Sequence, residues 1–259
     1  MIETQALTRT FGTTVAVRDL DLRVEPGEIV GFLGPNGAGK STTVKILTCM
    51  IKPTSGAARV AGFDVEEDPM EVKRRLGYVP EAGALYETLT ADEYLGMVAA
   101  LRGIEGKHAH RKIGELLGLF DILPARNKRL AEFSKGMKQK VLISAALISN
   151  PEVLFLDEPL NGLDANAALV MKQLLRELAS QGRTILFCSH ILEVVERICT
   201  RIVIINEGRT IVDGSAAEIA ARTGTSTLEA AFAELTGVRD AAEVTRDLLA
   251  ALGSSSGSE

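Results

Sequence analysis

Nine consecutive residues, Gly34-Pro35-Asn36-Gly37-Ala38-Gly39-Lys40-Ser41-Thr42, carry the most specific chemistry in this chain. They read as glycine, four residues, then Gly-Lys-Ser, directly after the apolar run Ile29-Val30-Gly31-Phe32-Leu33. Glycines let the backbone curl so that successive N–H groups point inward, and a helix starting there adds the partial positive charge of its N-terminus. The segment is therefore expected to cradle phosphates. Lys40 can reach β- and γ-phosphates, and the Ser41 hydroxyl can ligate Mg²⁺. A second run, Val153-Leu154-Phe155-Leu156, ends in the carboxylates Asp157 and Glu158. Side chains alternate along a strand, so the two should point apart and do different jobs. Asp157 is placed to hold the Mg²⁺ hydration shell beside Ser41, and Glu158 to accept a proton from an attacking water.

These residues need a scaffold that delivers them to one place. Ile29 to Leu33, Val153 to Leu156, Thr184 to Cys188 and Arg201 to Asn206 are short, β-branched-rich runs with helical patterns between most of them. Such runs read as buried parallel strands with helices on both faces. The active crevice then lies at the carboxyl ends of the strands, where the glycine loop, Asp157 and His190 all fall. Val15, Val17, Leu20, Leu22 and Val24 nearly alternate, with one slip at Arg18-Asp19, as an antiparallel strand with one wet face would. From about Thr90 to Asn150 the pattern is helical: Leu95, Val98 and Leu101 mark one helix, Ile113, Leu116 and Leu117 a second, Met137, Val141, Ala145 and Ile148 a third. The expected fold class is α/β, a P-loop NTPase with a mostly parallel sheet, a small antiparallel β subdomain and an inserted helical subdomain.

Residues 1–213 are expected to form the core domain, with the helical insertion at about 84–150, a C-terminal helical extension at 214–252 and a flexible tail at 253–259. Two capping boxes are expected in the extension. One is Ser226 with Glu229 ahead of Leu228, Phe232 and Leu235; the other is Asp240 with Glu243 ahead of Val244, Leu248 and Leu252.

The composition narrows the function. A chain of 259 residues with 46% hydrophobic content can bury a full core. Its net charge of −5 disfavours a nucleic-acid partner, because phosphate backbones reward a basic face. No apolar run approaches the roughly 18 residues that span a bilayer. Met1-Ile2-Glu3-Thr4 is no secretory signal, so a cytoplasmic, soluble or peripherally attached protein is expected. Cys49, Cys188 and Cys199 lack CxxC spacing and read as reduced thiols. His108 and His110, with no third ligand nearby, read as a solvated helix start.

Further motifs complete a family pattern: Phe133-Ser134-Lys135-Gly136-Met137 at a helix start, Asn161-Gly162-Leu163-Asp164 after the carboxylate pair, and Ser189-His190 after the next strand. With these the chain, from about Ile2 to Asp213, resembles the ATPase subunit of an ABC transporter. The resemblance implies that ATP and Mg²⁺ are the cofactors and that a second ATPase subunit, identical or not, completes a head-to-tail dimer with two sandwiched ATP molecules. Ser134, Gly136 and Met137 would then contact the γ-phosphate held by the other subunit, and Asp164 would communicate across the dimer. His190 would touch the γ-phosphate and help hold the attacking water, while Phe11 would stack on adenine in place of the family's usual tyrosine. An integral membrane permease is the implied second partner, holding the protein on the inner face of the cell membrane.

Two positions depart from the family pattern. Tyr78-Val79-Pro80-Glu81 puts a glutamate where a glutamine is usual; Glu81 can still ligate Mg²⁺ but adds negative charge and cannot donate as an amide does. Lys135 stands where the signature often has glycine. Both variants, and the segment Leu228-Glu229-Ala230-Ala231-Phe232, resemble bacterial ABC-2-type exporter ATPases that serve a separate six-helix permease. Export of a drug, ion or lipid-like solute is the function this implies. The alternative is a soluble ABC ATPase acting on nucleic acid or ribosomes, but neither a tandem ATPase half, a long coiled-coil insertion nor a Cys-rich zinc module accompanies the motifs. A guanine-selecting Asn-Lys-x-Asp is not matched by Asn127-Lys128-Arg129-Leu130.

Overall fold

The computed structural model describes residues 1–83 and 85–237 and, beyond them, 245, 246, 249 and 252. Strands β1 (Ile2–Phe11) and β2 (Thr14–Val24) form a hairpin, and β3 (Ile29–Leu33) leads through the glycine loop into α1 (Lys40–Leu47). Then come β4 (Ser55–Val60), β5 (Phe63–Asp64), α2 (Pro69–Arg75) and β6 (Leu76–Val79). A helical stretch holds α3 (Ala91–Leu101), α4 (Gly106–Leu119) and α5 (Lys135–Leu147). The chain returns through β7 (Val153–Asp157), α6 (Ala165–Ser180), β8 (Thr184–Cys188), α7 (Leu192–Ile198), β9 (Arg201–Asn206) and β10 (Arg209–Gly214), followed by α8 (Ala216–Thr223) and α9 (Leu228–Thr236).

The larger sheet has the order β10-β9-β3-β8-β7-β6, parallel throughout except for β10. Strands β3, β7 and β8 are buried at every residue, which is why they read as continuous apolar runs. Their side chains still alternate between two cores. Ile29, Leu33, Leu154, Leu156, Ile185 and Phe187 face the layer containing the buried residues of α3 to α7. Val30, Phe32, Val153, Phe155, Leu186 and Cys188 face the layer shared with β1, β2 and α1. Each such buried side chain contributes about 1.5–3 kcal/mol, so both faces of the sheet are firmly held.

The smaller sheet, β2-β1-β4-β5, is wholly antiparallel. The slip expected at Arg18-Asp19 is real: Asp19 has φ 45°, and the ladder shifts between the Leu7–Leu20 and Arg9–Val17 pairs. α7 lies against β3 with no space to spare, since a Cβ on Gly31 would meet Val195 Cγ1 at 2.6 Å. All three cysteines are free thiols, and burial pushes Cys199 up to about 12 and Cys188 well above its ordinary value, so both stay protonated.

Some expectations need correcting. Leu101, one of the three residues that mark α3 in the sequence, is 80% exposed; the buried face of the helix is carried by Ala91, Leu95 and Ala99, a stripe at four-residue spacing whose small alanines hide it from a search for large residues. The start of α9 is capped by Thr227, whose hydroxyl accepts from Ala230 N, and not by a Ser226–Glu229 box. The expected box at Asp240 and Glu243, and the tail 253–259, lie outside the described residues.

Candidate active site

The glycine loop closes on its neighbours so tightly that two of its glycines admit no side chain. A Cβ on Gly34 would lie 2.3 Å from the Ile205 carbonyl oxygen, and one on Gly39 would lie 2.4 Å from that of Ala16. Gly39 also has φ 105°, a left-handed conformation that side chains disfavour. As the N-cap of α1 it offers no side-chain acceptor, so the first helical N–H groups stay open toward the crevice. Lys40 Nζ donates to the loop's own carbonyls, Gly34 at 2.5 Å and Pro35 at 3.0 Å, which holds the ammonium over the cradle.

Beside the loop lies a cavity of about 770 Å³ lined by residues 33–42, Phe11, Ala16, Glu81, Asp157, Glu158, Ser189, His190, Leu192 and Phe232. The sheet explains the convergence. β3, β7 and β8 are parallel neighbours, so the segments leaving their carboxyl ends open on the same side. Phe11 is 46% exposed on the cavity wall, which suits a stacking surface better than a core position.

Asp157, the last residue of β7, and Glu158 line the same cavity but have different partners. Glu158 breaks from the strand with φ 51°, a costly conformation for a glutamate and one that clusters at functional sites. Its backbone N–H is tied to the Cys188 carbonyl at 2.9 Å. Its carboxylate accepts from His190 N at 2.7 Å and Ser189 Oγ at 3.2 Å, and His190 Nδ1 lies 2.8 Å away. The carboxylate is thus buried yet oriented by donors, while the imidazole remains 70% exposed to the cavity and solvent.

Asp157 is pushed up to about 6, first by burial and then by the charges of Glu81 and Glu158, against the opposing pull of Lys40 and Lys45. Glu81, Asp157 and Glu158 thus line one crevice with the Ser41 hydroxyl, oxygen groups of the hard kind that a divalent cation takes, although among the described residues no three of His, Cys, Asp and Glu are gathered into a metal site. The raised proton affinity also makes a prediction. Folding then favours the protonated acid, so a stability cost sets in as pH rises above the ordinary value of 3.8 and is complete above about 6. Asp157→Asn should raise the unfolding temperature of nucleotide-free, chelator-treated protein at neutral pH, with the gain closing toward about pH 4. A gain independent of pH in a melting series would contradict this account.

Ser134, Gly136, Met137 and Asp164 do not line this cavity. Ser134 caps α5, accepting from Met137 N at 3.2 Å, and Asp164 caps α6, accepting from Ala167 N at 2.8 Å while pairing with Lys140 at 3.0 Å. The two caps belong to one seam: a Cβ on Gly136 would lie 2.4 Å from the Gly162 carbonyl oxygen, and Gln139 donates to the Pro159 carbonyl at 3.0 Å. Within one chain this seam is a separate surface from the phosphate cradle. Ser189, Leu192 and Phe232 were not singled out from sequence as site residues; Ser189 was legible beside His190, but nothing local marks Phe232 as a cavity residue.

A family model described as "ABC transporter" matches residues 17–161, more than half of the chain. The chain belongs to the ABC transporter family. As an ABC cassette it is 36% identical over 252 residues to the daunorubicin/doxorubicin resistance ATP-binding protein DrrA of Streptomyces peucetius, covering 97% of this chain and 76% of that one. It is 39% identical to the ABC transporter ATP-binding protein NatA of Bacillus subtilis, covering 77% and 82%. To the bacitracin transport ATP-binding protein BcrA of Bacillus licheniformis it is 40% identical, covering 82% and 68%. Among solved structures, the ATP-binding subunit of an ABC transporter superposes with a TM-score of 0.86 at 34% identity, over 91% of this chain and 99% of that one. A dimeric ATP-binding cassette in a post-hydrolysis state, bound to ADP and Pi, superposes with a TM-score of 0.77 at 25% identity, over 83% and 98%. The ABC cassette described here is accordingly an ATP-binding, ATP-hydrolysing subunit with the α/β fold of a P-loop NTPase.

Proposed function

We propose that this ATPase drives a separate membrane permease and that the pair exports a drug-like, ionic or lipid-like solute. The observation that carries the chemical half is the convergence of the Gly34–Thr42 loop, Glu81, Asp157, Glu158 and His190 on one cavity. The transport half is supported by the relatives, whose names speak of resistance and of bacitracin transport. Among the described residues no helix is long and apolar enough to cross a membrane.

In this reading the loop N–H groups and Lys40 bind the β- and γ-phosphates, and Phe11 stacks on adenine. Ser41, Asp157 and Glu81 hold Mg²⁺, which supplies charge neutralisation at the phosphates. Glu158 takes the proton of the water that attacks the γ-phosphate, and His190, held by the same carboxylate, orients that water. Ser134, Gly136, Met137 and Asp164 act on the nucleotide of a second ATPase subunit, which accounts for their surface apart from the cradle.

The coupling surface is the loop after Glu81. There Tyr86 is 62% exposed, whereas Leu85 is half-buried and packs on the helical core. The two thus have separable roles. Tyr86→Ser should leave ATP affinity and unfolding temperature of the isolated chain unchanged, yet weaken co-purification with a co-expressed six-helix membrane protein and reduce solute efflux. Leu85→Ser should lower stability as well. Unchanged efflux with Tyr86→Ser would refute this docking role. A chain that hydrolyses ATP but binds no membrane protein, and instead sediments with ribosomes or nucleic acid, would favour the soluble alternative.

A further inference from the structure

We propose that Phe232, on α9, is a positioning residue for ATP hydrolysis: it sets the turn that presents His190 to Glu158. This makes the helix pair after β10 part of the hydrolytic device. The proposal rests on the reading of Glu158 and His190 as the hydrolytic pair.

Phe232 comes from the last described helix, yet it lines the same cavity as Lys40, Asp157, Glu158 and His190. It reaches there because α9 packs against α7, the helix that begins at Leu192, two residues after the histidine. Leu192 lines the cavity as well, and both it and Phe232 are half-buried against the same core. The rotation of α9 is fixed. Its N-cap Thr227 accepts from Ala230 N at 3.2 Å, and Leu228 and Ala231 are fully buried, which turns the neighbouring Phe232 toward the cavity wall.

The entry into α7 has one local polar tie, Ile191 N donating to Ser189 Oγ at 3.2 Å. Its N-cap is Ile191, which offers no side-chain hydrogen bond and is 42% exposed. Without a polar cap, the entry angle of a helix is set by apolar contacts across its first turn, as in a hydrophobic staple. On the side facing β3, α7 cannot move inward, because Val195 already fills the space over Gly31. α9 packs on α7 from the other side, with Phe232 and Leu192 lining one cavity, so α7 lies between β3 and α9. The histidine itself is 70% exposed, and its recorded partner is Glu158, met through the backbone N–H at 2.7 Å and Nδ1 at 2.8 Å. A small rotation of the α7 entry would therefore be felt directly at that pair, where a misplacement of about 1 Å can cost up to ~100-fold in rate.

The test uses the full 259-residue chain. ATP hydrolysis is measured at saturating Mg-ATP, and ATP affinity separately with a fluorescent ATP analogue. Phe232→Ala should lower kcat about tenfold with affinity changed by less than about twofold. Phe232→Leu, which keeps apolar bulk, should lower kcat only about twofold to threefold and serves as the test if the alanine variant melts at the assay temperature. In a His190→Ala background, Phe232→Ala should add little, since both changes act on one element. A kcat unchanged by either variant, a matching fall in ATP affinity, or a full tenfold loss on top of His190→Ala would each overturn the proposal. Glu158→Gln run alongside separates the levels. If it is inactive and Phe232→Ala is normal, only the role of Phe232 falls; if it turns over ATP at the wild-type rate, the underlying assignment falls too.

Discussion

Glu158→Gln is expected to bind ATP normally and to hydrolyse it ~10²- to 10⁴-fold more slowly, the usual contribution of a general base. Glutamine keeps the length and shape of the side chain; its amide oxygen can still accept from His190 N, while its NH2, standing where Oε2 was, can donate to Ser189 Oγ, which then turns from donor to acceptor. What is lost is the capacity to take a proton from water. The backbone at this position, already left-handed at φ 51°, should not change, so the folded state is expected to survive. Binding without turnover should trap the two-nucleotide dimer, making the variant elute as a dimer in ATP and as a monomer in ADP. A variant that stays monomeric in ATP while retaining wild-type turnover would remove both the base role and the sandwich.

Lys40→Ala should abolish hydrolysis and weaken ATP binding, because the cradle would lose the ammonium that its own carbonyls hold in place at 2.5 and 3.0 Å. Charge-assisted bonds to phosphate oxygens are the strong kind, roughly twice the strength of neutral ones, and the loop N–H groups alone do not replace them. Lys40 starts α1 and is only half-buried, so its removal leaves the two cores intact. Unfolding temperature without nucleotide should be near that of the wild type, while the increase produced by added ATP should shrink or vanish. Near-normal turnover in a folded Lys40→Ala protein would sink the phosphate-site assignment.

Sequence reasoning reached the parts of this molecule whose signals are local. The buried strands were legible because both faces of the large sheet are covered, leaving uninterrupted apolar runs whose ends match β3, β8 and β9 residue for residue. The glycine loop was legible because its chemistry depends on contiguous residues. Strands β1, β4, β5, β6 and β10 are not legible in the sequence. β1 and β4 carry threonine, arginine, glycine and alanine on a half-wet antiparallel sheet, and β6 is only Leu76–Val79 with a glycine inside. β4 pairs with β1 and β6 with β7, partners distant in sequence that no window of residues reveals. The same limit explains Phe232: it reads as one apolar position of an amphipathic helix, and only the packing of α9 on α7 brings it to the cavity.

The seam between Gly136 and the Gly162 carbonyl leaves no slack between the start of α5 and the loop that leaves β7. With Gln139 Nε2 bonded to the Pro159 carbonyl one residue past Glu158, the start of α5 is joined to the loop that carries Glu158 by one side-chain hydrogen bond and one close glycine contact. Any side chain at Gly136 would therefore have to part the start of α5 from the loop that carries Glu158.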